Sequence, residues 1–209
     1  GITQVRVVLT SGKDTGRIIA ISDGVFAVAM TLLVLEIRVP ILETLKSDSE
    51  LIAAFIQLKS KFLVYFLAFI TTGIFWMGHA AQYKHIEKSD RNLSWINLIF
   101  LLTVTLLPFT TAFLGDYTDF RFPIFIYWFN ILLMGLFLYI NWKYACKKEF
   151  IPKETIAILD KPMRKRIIAA QSLYFLGTML CFINPYLSIA FIIFVQLNYA
   201  FAFLGDKLG

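Results

Sequence analysis

In this chain of 209 residues 58% are apolar and only 16% charged, whereas a soluble domain has about half and about a quarter. Mean hydropathy is +0.71 and Phe alone supplies 21 residues, the composition of an integral membrane protein. The net charge of +6 does not point to nucleic acid, because Lys and Arg fall between apolar runs, where they report membrane orientation.

The N-terminal stretch is polar with no early apolar core, so no cleavable signal peptide is expected. Six apolar segments follow, at roughly 18–37, 62–83, 93–114, 122–142, 167–183 and 185–204, each near the ~20 residues of a spanning helix. The expected fold is therefore an all-α integral membrane protein, with residues 1–209 forming a single six-helix domain.

The first segment lies within GRIIAISDGVFAVAMTLLVLEIRVP, residues 16–40, and holds Arg17, Ser22 and Asp23 in its cytoplasmic third. A central membrane charge costs on the order of 3 kcal/mol, less toward the interface, so these residues are expected to face protein or water. At 100° per residue, Ile21, Gly24, Val28, Thr31 and Leu35 form one stripe, bordered by Leu32. Asp23 and Phe26 point away from Val28, into the bundle on this reading. The stripe suits lipid, a neighbouring helix or a narrow pore.

The second segment runs inward, which brings Trp76 and His79 to the level of Asp23. Residues 51–58 are also apolar, so this segment has an earlier possible start, with Lys59 and Lys61 snorkelling at a membrane surface. The third begins on the cytoplasmic side with Asn92, Trp95 and Asn97. His79 as donor to Asp23, with Asn97 nearby, is the expected buried network; it either fixes helix packing alone or serves as a proton relay or gate. Pro108, inside the third segment, should kink it or free a carbonyl.

Between the fourth and fifth segments stand Lys143, Lys147, Lys148, Lys153, Lys161, Arg164, Lys165 and Arg166. This strongest basic loop should be cytoplasmic, which places both termini there too. Loop 36–50, with Glu36, Glu43, Asp48 and Glu50, then lies outside. Asn184-Pro185 leaves almost no loop before the last segment, so the last two form a hairpin. AFLGD occurs at 112–116 and 202–206, ending the third and sixth segments; an inverted repeat would do this, but five residues are too few to establish one. Cys146 and Cys181 lie near opposite ends of neighbouring segments, so no bridge between them is expected.

RIIAISDGVFAVAMTLLVLEI resembles the first helix of the endosomal–lysosomal potassium channel family, transmembrane protein 175, and of its prokaryotic relatives. The family signature, Arg-x-x-x-Phe-Ser-Asp, is met by Arg17, Ser22 and Asp23, with Ile21 in place of Phe. Trp76-x-x-His79 is similar to the family as well, and six helices match a single-repeat prokaryotic member. The resemblance implies a potassium-permeable cation channel of the cell membrane, without a re-entrant pore loop or cofactor. It implies four subunits whose first helices line the pore, with constriction rings at Val28 and Leu35 and with Thr31 or Leu32 between. No fixed metal is expected, only permeating K⁺ near Thr31. The alternative is a proton-coupled secondary transporter using Asp23 and His79. HExxH, GxSxG and metal-spaced carboxylate pairs do not occur, so an enzyme is not expected.

Orientation can be checked directly. Cysteines introduced into loop 143–166 should resist an impermeant thiol reagent in intact cells and label after permeabilisation. Ready labelling of intact cells would reverse the topology.

Overall fold

The computed structural model describes residues 15–41 and 43–208, with side chains up to residue 201. The polar N-terminal stretch and the side chains of the second AFLGD copy lie outside these residues. Every regular element described is helical. The helices are α1 Thr15–Leu35, α2 Asp48–Ile56, α3 Lys59–Tyr83, α4 Arg91–Thr105, α5 Leu107–Asp116, α6 Phe122–Lys147, α7 Lys153–Met179 and α8 Pro185–Leu208. Among the described residues, α1, α3, the α4–α5 rod and α6 are long and apolar enough to cross a bilayer. The apolar part of α8 is the shorter Pro185–Phe201.

The apolar stretch at 51–58 is not an early start of the second span. It falls largely in α2, a separate short helix capped by Ser47, whose hydroxyl accepts from the Glu50 N–H, with Asp48 and Glu50 in its first turn. Leu51, Ile52, Phe55 and Ile56 on α2 remain exposed. α3 then starts at Lys59, and Lys61 pairs with Asp116 at 3.0 Å, joining the start of α3 to the end of α5.

Pro108 splits the third segment into α4 and α5. Its missing N–H leaves the Val104 carbonyl without the usual helical donor, and the Leu106 N–H turns back to that carbonyl instead. Asn130 of α6 braces the break. Its Nδ2 donates to the Thr103 carbonyl at 2.8 Å, and its Oδ1 accepts from the Thr110 hydroxyl at 2.9 Å.

The expected fifth segment, 167–183, begins inside a longer helix, α7, which ends at Met179 and is followed by a 3₁₀ turn at Leu180–Phe182. α7 has 27 residues, about 40 Å at 1.5 Å per residue, against a hydrocarbon core of about 30 Å. Its N-terminal half carries the basic loop outward as helix rather than coil. Asp160 holds that half to α6: it accepts from Trp142 Nε1 at 3.2 Å and from Arg164 at 3.1 and 3.0 Å. Pro162 is tolerated inside the helix because the carbonyl it leaves bare belongs to Ile158, on an exposed face. The hairpin into α8 is tight. A Cβ on Gly177 would come within 2.9 Å of the Phe191 and Ile192 side chains, so only glycine allows this approach.

Two apolar clusters fill the bundle. The larger contains Phe26, Leu33, Leu67, Phe100 and Tyr127. The smaller, with Ile18, Tyr83, Leu93 and Trp142, lies at the end where α3 and α6 finish and α4 begins. Polar ties cross between them. Gln82 donates to the Leu138 carbonyl and accepts from Asn141, which in turn accepts from Tyr83. Thr71 bonds Tyr127 at 2.9 Å and accepts from Gln196 at 2.6 Å, linking α3, α6 and α8.

Replacing Asn130 by Leu should cost about 1–3 kcal/mol, the penalty for a buried polar group left without its partner. Thermal unfolding in detergent measures it. An unchanged melting temperature would show that the α4–α5 break needs no brace.

Candidate functional site: the two faces of α1

α1 packs against α3, α4 and α5 through Ile18, Ser22, Phe26, Ala29 and Leu33, its buried residues. These recur at intervals of three or four and so form one face of the helix. Phe26 contacts the rings of His79 and Phe100, with centroids 6.1 and 5.9 Å away.

At the level of Ser22 a chain of hydrogen bonds joins three helices. His79 Nε2 lies 2.8 Å from Asn97 Oδ1. Asn97 Nδ2 donates to Ser22 Oγ at 3.0 Å, and Ser22 Oγ donates to the Ile18 carbonyl at 2.6 Å. The direction of the chain follows from its end. The Ser22 proton is spent on the carbonyl, so Ser22 accepts from the amide, the amide oxygen faces His79, and His79 carries its proton on Nε2. The imidazole is stacked between Tyr83 and Phe100, at 4.5 and 5.6 Å. Ser22, Asn97 and His79 are 0%, 1% and 2% exposed.

Asp23 does not pair with His79 as the sequence suggested. Its Oδ1 accepts from Trp76 Nε1 at 2.8 Å. One residue on from Ser22, Asp23 sits about 100° from the middle of the buried face. It is therefore exposed on the flank of α1 rather than turned into the bundle. Trp76, itself 41% exposed, reaches this flank, while His79, one turn further along α3, enters the interior. The charge thus stays outside, and neutral groups make the buried tie. Arg17 is exposed near the start of the same helix. Asn92 and Trp95 do not join the His79–Asn97–Ser22 chain: both are exposed on α4.

The opposite face of α1 is uncovered among the described residues. Ile21, Val28 and Leu35 are 51%, 56% and 66% exposed, and Gly24 and Thr31 are exposed with them. Their spacing alternates three and four residues, the seam that helices use when they gather about a common axis. Thr31 lies about 180° from the middle of the buried face and Leu32, also exposed, about 80°. The Thr31 hydroxyl bonds back to the carbonyls of Ala27 and Val28, at 3.0 and 2.8 Å. With the proton committed to the helix, the oxygen lone pairs are left for another partner. Ile21, at the signature position where the family has Phe, is on this exposed face, so the missing ring leaves no gap in the core.

The ties through Gln82 and Asn141, Thr71 and Gln196, and Asn130 were missed by sequence reasoning. Their signal was the isolated Asn, Gln and Thr residues inside apolar runs, each of which requires a partner.

Several long apolar helices joined by buried polar ties define a multi-pass membrane protein. Residues 17–108 match the family described as the endosomal/lysosomal potassium channel TMEM175. A potassium channel of Chamaesiphon minutus is 38% identical over 108 residues, 50% of this chain and 51% of that one. The endosomal/lysosomal proton channel TMEM175 of Homo sapiens is 36% identical over 97 residues, 44% of this chain and 19% of that one. The crystal structure of a lysosomal potassium-selective channel TMEM175 homolog from Chamaesiphon minutus is similar with a TM-score of 0.77 at 28% identity, covering 91% of this chain and 98% of that chain. The aligned stretch spans about half the length of the first curated relatives. Over residues 17–108 the chain is thus similar to the TMEM175 family, and these relatives are named as ion channels and not as enzymes.

Asn97→Ala should destabilise the protein by about 1–3 kcal/mol, because it strands Ser22 and His79 in the interior. Asp23→Asn keeps an acceptor for Trp76 and should lower the melting temperature less. Thermal unfolding of both variants in detergent gives the order; the reverse order would make Asp23 the principal tie.

Proposed function

We propose that the chain is the subunit of a potassium-permeable cation channel. Four copies assemble about an axis lined by α1, each crossing the cell membrane six times with both termini in the cytoplasm. The observation that carries this reading is the bare face of α1, with its three–four spacing and no charged residue between Asp23 and Glu36. The names of the relatives support ion conduction.

On this reading Val28 and Leu35 form apolar rings. An apolar ring narrower than a hydrated ion resists passage, because nothing replaces the water that the ion gives up. Thr31 lies between them and offers four oxygens with their protons already bonded to the helix, so discrimination between K⁺ and Na⁺ is placed there. Leu32 stands on the flank, toward the neighbouring subunit, and does not form the ring. Arg17, Ser22, Asp23, Trp76, His79 and Asn97 hold the helix in this rotation and do not touch the ion.

Against the alternative, a proton-coupled transporter through Asp23 and His79, stands that each of the two is hydrogen-bonded to a different side chain, Trp76 and Asn97. Flux in proteoliposomes separates the two readings. Ion movement down a K⁺ gradient, unchanged by a pH gradient, is expected; obligatory proton coupling would overturn the channel. In single-channel recording, Val28→Ala or Leu35→Ala should raise conductance. Thr31→Val should lower the K⁺ preference severalfold, while Thr31→Ser keeps it and Leu32→Ala changes it least. If assembled variants at all four positions conduct as the parent does, α1 does not line the pore.

A further inference from the structure

α3 and α7 each pack on α6 and on α8, and the space left between α3 and α7 is a cavity of about 180 Å³. Its walls are almost wholly apolar and include Ile74 and Phe75 of α3, Leu138 of α6, and Ile167 and Ala170 of α7. A dry cavity of this order accepts hydrocarbon. Along α7 the cavity runs from Arg166 to Tyr174, about 12 Å at 1.5 Å per residue. It is therefore a slot rather than a round hole.

The two ends of the slot differ. Tyr174 is buried at one end and the exposed Arg166 stands at the other. Arg166 closes the basic run Lys161, Arg164, Lys165, Arg166. Arg164 in that run is committed to Asp160 in a two-point contact; Arg166 is the member that lines the cavity. A guanidinium at the mouth of a hydrocarbon slot complements an amphiphile with an anionic head and an aliphatic tail, and guanidinium is well suited to phosphate oxygens. A neutral apolar molecule would leave the cation unused, and a soluble anion would gain nothing from the walls. The bilayer around the helices supplies the matching molecule.

We propose that the α3–α7 slot binds one acyl chain of an anionic phospholipid whose phosphate is held by Arg166. The site is separate from the α1 face, and its readout is lipid binding, so it stands or falls apart from ion conduction.

The test is native mass spectrometry of the detergent-purified protein, titrated with phosphatidylglycerol and with phosphatidylcholine of the same acyl chains. One phosphatidylglycerol per chain should bind saturably and at least tenfold more tightly than phosphatidylcholine. Arg166→Gln should remove that difference, and Arg166→Lys should keep part of it. Ala170→Phe, which fills the slot, should weaken retention of phosphatidylglycerol tenfold or more; should that variant not fold, Ala81→Leu fills the slot from the α3 wall. Undiminished binding to a folded slot-filling variant would overturn the slot, and an undiminished preference in Arg166→Gln would overturn the headgroup contact. Graded, non-saturable binding of both lipids means an ordinary lipid annulus and overturns the proposal as a whole.

Discussion

The hydrogen-bond chain from His79 through Asn97 and Ser22 to the Ile18 carbonyl fixes the rotation of α1, and the remainder of the arrangement depends on that rotation. In a bilayer, lipid tails are as apolar as leucine, so burying leucine does little to choose one helix face over another. Polar groups do choose, because a turn that faces Ser22 or Asn97 to lipid leaves them without partners. Ser22 is wholly buried against Asn97. A rotation of α1 by one residue would bring Asp23 to that interior position, where a carboxylate would have to be desolvated. The tie is thus neutral by selection of position: the serine turns inward and the aspartate next to it stays on the flank with Trp76.

The same rule acts at successive depths. Gln82 and Asn141 lock α3 to α6 near one end, Thr71, Tyr127 and Gln196 join α3, α6 and α8, and Asn130 spans the α4–α5 break. α3 takes part in most of these ties and is the post around which the others are set. Individual interhelical bonds in membranes average well under about 1–2 kcal/mol. Their contribution is therefore less in bulk stability than in specifying one register and one rotation among packings that apolar contact alone scarcely distinguishes.

Much of this was legible in the sequence, and what was not has physical causes. Runs of apolar residues located α1, α3, α4–α5 and α6, because few other structures tolerate such runs. The bare stripe on α1 followed from 3.6-residue periodicity. The partner of Asp23 did not, because Trp76 and His79 lie one turn apart on α3 and depth alone cannot tell which of them meets the flank and which the interior. The start of α7 was hidden for a different reason: hydropathy registers where charge ceases, at about residue 167, whereas helix continues through charged residues when their carbonyls and side chains are satisfied, as Asp160 and Arg164 satisfy theirs. α2 was concealed by its apolar content, which resembles the start of a span; only the Ser47 cap and the acidic first turn mark an independent helix. The Pro108 break was legible in position, but its brace was not, since Asn130 lies on another helix.

The division of α1 into a neutral, bonded face and a bare face also bears on how a pore without a separate filter loop would be built. A filter made of backbone carbonyls requires irregular backbone, and irregular backbone in a membrane must be buried in protein. A straight helix avoids that requirement but presents no carbonyls, because all are spent within the helix. Side chains are then the source of oxygen, and a ring of carboxylates there would hold a cation more tightly than a ring of neutral oxygens and slow its release. A hydroxyl whose proton is already bonded to the helix, as that of Thr31 is, presents an oxygen that is polar but uncharged. In the proposed tetramer four such oxygens form a weak site between two dry rings. The constraint that keeps Asp23 bonded to Trp76, off the bare face, is the same constraint that leaves Thr31 as the polar group there.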